Sequence, residues 1–171
     1  MTDVKTAKKK KLESIKCFLE QHTNYRIEVF SDWLCICFPY RYWTDGDGMS
    51  LYLILDDDMN KMYLEDDDLC IHNTLCMIPD DENAKNAVRS LAKSFQILCI
   101  YGDSYNASPV FRQGLRPLSF YQEENRQDFL IEEIEEFLRK LIVFNEIADT
   151  IEVVAKVQEE FVNEDDSTPF D

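Results

Sequence analysis

The side chains in this chain most capable of chemistry are its carboxylates, and they come in clusters. Asp56, Asp57 and Asp58 form one; Glu65, Asp66, Asp67 and Asp68 form a second; Asp80, Asp81 and Glu82 form a third; Glu132, Glu133, Glu135 and Glu136 form a fourth. Acid–base catalysis needs two such groups held within a few Å on a rigid frame, with their pKa values pushed apart. Consecutive aspartates in a turn point in alternating directions and are usually solvated, so these clusters read as charge presented to solvent or to a partner. Hard cations also want carboxylate oxygens. The best local candidate is Asp45-x-Asp47, and it fails as a calcium loop: Met49 stands where an oxygen ligand is needed and Ser50 where glycine is needed.

The cysteines are the next candidates. Cys35 and Cys37 lie two apart on an expected strand and share a face, as do Cys70 and His72 on another. If those strands were neighbours, four tetrahedral zinc ligands would meet. No CxxC knuckle occurs, and small apolar filling of a core is the simpler reading. Nucleophilic catalysis finds no support: there are two histidines, His22 and His72, and no GxSxG, GKS, HExxH or glycine-rich phosphate loop. With four glycines in all, a backbone cradle for phosphate is not expected. Trp33, Trp43 and Tyr42 flank the Asp45 turn, either as a stacking surface or, more simply, closing the end of a sheet. No catalytic residue, metal or cofactor is therefore expected, and the chain reads as a non-enzyme.

The elements that must position these residues are legible from periodicity. Residues 4–21 form a helix with Ala7, Leu12, Ile15, Phe18 and Leu19 as its stripe and lysines opposite. Residues 25–30 alternate as a half-buried strand. Residues 33–38 (WLCICF) and 51–55 (LYLIL) are apolar on both faces, the mark of central strands covered on both sides. The segments 61–65 and 69–72 are short strands around acidic turns. Five short strands with tight connections imply an antiparallel meander. Residues 81–94 form a helix with Ala84, Ala87, Val88, Leu91 and Phe95 inward. Residues 96–101 (QILCIY) are a strand, and 111–121 are irregular, with at most one extended piece before Pro117.

The C-terminal third repeats apolar residues at spacings of 4 and 3, from Leu130 through Ile134, Phe137, Leu141 and Phe144 to Val162. That is a long helix packing along one seam, on the core or against a second copy. The expected fold class is α+β: an antiparallel meander of five to six strands packed by helices, with a long C-terminal helix. The organisation is a basic helix at 1–22, a core at 23–121, the long helix at 122–162 and an acidic tail at 163–171.

Charge sharpens the function classes. The chain of 171 residues carries 34 acids and 18 bases, a net −16. Residues 1–16 hold six bases and two acids, so the leader is +4 and the remainder −20. Such a body repels phosphate, which disfavours direct nucleic-acid binding. Apolar residues make up 45% of the chain, enough for a core, which excludes disorder throughout. No apolar stretch approaches the ~18 residues of a membrane span, and no signal peptide is expected. The six cysteines then read as reduced residues of a cytoplasmic protein.

Several short motifs between Asn24 and His72 also follow a known pattern: Phe38-Pro39, Asp45-Gly46-Asp47, Leu51-Tyr52-Leu53 and Tyr63-Leu64-Glu65-Asp66-Asp67. In these, and in the order of the later elements over roughly residues 12–150, the chain resembles the bacterial and phage domain-of-unknown-function family 1828. Asp68 stands where that family commonly has glycine. The resemblance implies a prokaryotic or phage-encoded cytoplasmic protein and lends no activity.

The function expected from all this is a non-enzymatic acidic interaction protein. It would be a phage- or mobile-element-encoded inhibitor of a host defence nucleic-acid enzyme (anti-CRISPR or anti-restriction), acting by nucleic-acid mimicry. Its expected partner is a basic protein, with no membrane and no direct DNA contact by the acidic body. The alternatives are a metal-dependent enzyme using the turn aspartates, and an accessory protein that dimerises through the C-terminal helix.

Overall fold

The computed structural model describes residues 2–41, 48–66, 82–101 and 109–165, with the side chains of the last helix described through Ile147. In chain order the elements are α1 (Thr2–His22), β1 (Arg26–Val29), β2 (Trp33–Arg41), β3 (Gly48–Leu55), β4 (Met62–Asp66), α2 (Glu82–Ser94), β5 (Leu98–Ile100), β6 (Val110–Gly114), α3 (Leu118–Tyr121) and α4 (Asp128–Asp165). The described strands form one sheet in the order β1-β2-β3-β4-β6-β5, every neighbouring pair antiparallel. The α+β class and the meander of the first four strands agree with the sequence. The expected strand at 69–72 lies outside the described residues.

Alternation decides which side chains enter the core. Leu34, Leu53 and Leu64 are in register across β2, β3 and β4 and are fully buried. The helices supply the other half of the same cluster: Leu12, Ile15 and Leu19 from α1, Val88 and Ala92 from α2, and Leu130, Ile134, Phe137, Leu141 and Phe144 from α4. Burying each of the two phenylalanines contributes about 1.5–3 kcal/mol. Phe144 also packs its ring against Phe111 of β6 and Phe95 after α2, at 4.8 and 6.2 Å between centroids. The 4–3 spacing of the long helix is thus core packing as far as Phe144, and α4 continues without interruption to Asp165.

Several local expectations are corrected. The outward residues of β2 and β3, namely Trp33, Cys35, Cys37, Tyr52 and Ile54, are half-buried rather than covered like their inward neighbours. Ala87 is exposed and Ala92 takes the inward position on α2. The stretch before Pro117 is a true strand, β6, inserted between β4 and β5. Trp33 is in register with Ile54, at the end of β2 away from Arg41 and Gly48. It does not flank the turn joining β2 to β3; it stacks on Phe30 with ring centroids 3.9 Å apart. Trp43 and Tyr42 lie outside the described residues.

Candidate functional site

The acidic turn between β3 and β4 is built from its own side chains. Asp58 Oδ1 accepts the backbone N–H groups of Asn60 and Lys61 at 2.9 and 2.8 Å, and Asp56 Oδ1 accepts that of Asp57 at 2.7 Å. Those two backbone donors hold the Asp58 carboxyl below its usual range. Met59 takes a left-handed φ of 55° to close the turn. Asp56, Asp57 and Asp58 are all exposed.

The basic leader meets this turn. Lys8 is buried, and its Nζ lies 3.1 Å from Asp57 Oδ1 and 3.5 Å from Asp32 Oδ1, the latter in the turn before β2. Burial pulls the Lys8 ammonium down, but the bond to Asp57 and the charges of Asp32 and Asp57 outweigh it, leaving the group raised. Lys11 Nζ donates to the Met59 carbonyl at 2.9 Å. Part of the positive leader is therefore spent inside the molecule, clamping α1 to two acidic turns.

The glutamates of α4 divide by face. Glu132 and Glu136 are exposed, one turn apart. Glu136 pairs with Lys140 at 2.9 Å, and that bond and charge hold its carboxyl below the usual range. Glu133 and Glu135 instead serve the interior. Glu133 accepts the Tyr121 hydroxyl and lies 3.3 Å from Arg116 Nε, tying α3 to α4. Glu135 accepts the Tyr25 hydroxyl at 2.8 Å, tying the start of the sheet to α4. Burial first, and then the neighbouring carboxylate, raises both tyrosines well above their ordinary range.

Two members of the second cluster are also held in bonds within the sheet. Glu65 accepts from Arg112 Nε at 2.7 Å, and the same guanidinium lies 4.1 Å over the Tyr63 ring. Asp66 is buried on the core face, where its Oδ1 accepts the Phe111 N–H at 2.7 Å. Asp67 and Asp68, like Asp45, Asp47, Cys70 and His72, lie outside the described residues. Cys35 and Cys37 do share the outward face of β2. Among the described residues no group of three or more His, Cys, Asp or Glu side chains is disposed to hold a metal ion. No helix is long and apolar enough to cross a membrane among the described residues.

Of the proposed partner-binding residues, then, Asp56, Asp57, Asp58, Glu132 and Glu136 stand at the surface. Glu65, Asp66, Glu133 and Glu135 are held in internal bonds. Sequence reasoning did not single out Lys8, Tyr25, Tyr121 or Arg112, which position these acids. It also missed an opening of about 310 Å³ between α1, α3 and α4, lined by Ile15, Phe18, Leu118 and Leu130 and edged by Lys10 and Lys11. Comparison of the chain with protein-family models, curated proteins and solved structures finds no match.

Proposed function

We propose that this is a non-enzymatic acidic interaction protein that occupies the phosphate-binding surface of a basic, nucleic-acid-handling protein. A phage- or mobile-element-encoded inhibitor of a host defence enzyme, of the anti-CRISPR or anti-restriction kind, would act in this way. The observation that carries the reading is the charge of α4: twelve acids, of which Glu133 and Glu135 are held in internal bonds, against three bases along one continuous helix of 38 residues. At 1.5 Å per residue such a helix is about 57 Å long, the length of roughly 17 base pairs of duplex. A basic channel that tracks a duplex is attracted to a line of carboxylates by the same field that attracts phosphates. The resemblance to family 1828 adds the expectation of a prokaryotic or phage origin. On this reading the protein needs no catalytic residue and no cofactor.

The test reverses charge at the exposed positions. The pair Glu132→Lys and Glu136→Lys should leave the circular dichroism spectrum unchanged. It should lower capture of a basic partner from prokaryotic lysate at least tenfold at low salt. Capture by the variant equal to that of the parent protein, or capture unchanged at high salt, would contradict mimicry.

A further inference from the structure

The sheet brings two thiols together on its outward face. Cys35 and Cys37 alternate with the buried Leu34 and Ile36, so both project away from the core. Residues two apart on a strand stand about 6.6 Å apart along the chain, yet the two Sγ atoms approach to 3.7 Å. The side chains lean toward each other. In register on β1, Arg26 faces Cys37 and Glu28 faces Cys35; on β3, Ser50 and Tyr52 face the same two positions. Arg26 interacts electrostatically with both thiols while its guanidinium is held by Glu28.

A tetrahedral ion bound to two sulfurs at about 2.3 Å sets them about 3.8 Å apart. The observed 3.7 Å, at which one thiol donates a hydrogen bond to the other, is close to that edge. We propose that Cys35 and Cys37 form a two-thiolate site for a thiophilic d10 cation of the zinc class, with the remaining coordination positions open to an exogenous ligand. In the binding step two S–H bonds break and two sulfur–metal bonds form. Two protons pass to solvent, and nothing is oxidised or reduced. The Arg26 charge offsets the negative charge that the two thiolates add to this face. Filling a core does not account for the pair, because these sulfurs point to the other side of the sheet from the core.

The probe is Cd²⁺, titrated into the reduced full chain and read by thiolate-to-metal charge-transfer absorbance. The expected result is a tight step of one ion per chain that releases about two protons. Cys35→Ser and Cys37→Ser should each weaken that step at least 100-fold. Cys17→Ser and Cys99→Ser should leave it intact, the first residue being exposed and the second a thiol that burial pushes up to about 11. Alkylation mapped by mass spectrometry on the unmutated chain supplies a reading that does not depend on a variant folding: Cd²⁺ should protect Cys35 and Cys37 together. A charge-transfer step undiminished in both serine variants, or no protection of these two thiols, overturns the proposal.

Discussion

Lys8 shows how a residue of the expected solvent face becomes structural. It lies at the 4–3–4 spacing with Leu12, Ile15 and Leu19, so a helix that buries those three must bury it too. Reading the lysines as a block opposite the stripe hid that signal; reading position by position exposes it. A buried ammonium needs acids, and Asp32 and Asp57 supply them from two turns. Lys8→Met keeps the apolar stem and removes the charge. It should lower stability by about 1–2 kcal/mol, read as an earlier urea midpoint with an unchanged slope. Asp66 carries the same lesson: it shares parity with Met62 and Leu64, and that parity outweighed the turn-like run of acids that follows it. Met62, Leu64 and Asp66 are all buried.

At the scale of elements, the strongest periodic signals translated directly: the α1 stripe, the α4 stripe as far as Phe144, the alternation of β1, and β2 and β3 as strands, though their outward faces are only half-buried. The weak ones did not. Strand β6 was hidden because Arg112 and Gln113 interrupt its apolar pattern between two prolines, and both find partners only in the folded chain, in Glu65 and Lys140. The end of α2 at Ser94 agrees with the expected helix over 81–94, although no glycine follows it. Gln96 takes a φ of 60° there, and the Ile97 N–H returns to the Ala92 carbonyl at 3.0 Å. A left-handed residue with a side chain is strained, so Gln96→Gly should stabilise the protein by about 0.5–1 kcal/mol, seen as a raised Tm. The ties between elements also set a limit in base. Tyr25, Tyr101 and Tyr121 are all raised, burial being the leading cause in each. They keep their protons longer in the fold than in the unfolded chain. Their contribution is therefore complete below the ordinary tyrosine range near pH 10 and is lost as pH rises through the raised values. Lys8 runs in the same direction. Urea midpoints should hold steady from pH 7 to about 9.5 and fall above it; a midpoint that rises there would contradict these bonds.

At the scale of the whole molecule, charge separates into two uses. Part of it is internal: Lys8, Lys11, Arg112, Glu65, Asp66, Glu133 and Glu135 fasten helices and strands to one another. Another part faces outward: among the described residues Asp56, Asp57, Asp58, Glu132 and Glu136 are exposed, and they contribute to the field of a chain whose net charge is −16. Composition alone announced the field but not the division, because an acid in a bond and an acid in water count equally in a sum. In the proposed mimicry this field stands in for a nucleic acid. The measurement that bears on it most directly is capture of the partner from prokaryotic lysate with duplex DNA added as competitor over a range of salt. Mimicry predicts that DNA displaces the protein and that the logarithm of the binding constant falls linearly with the logarithm of salt concentration. Capture that neither excess DNA nor salt diminishes would contradict it.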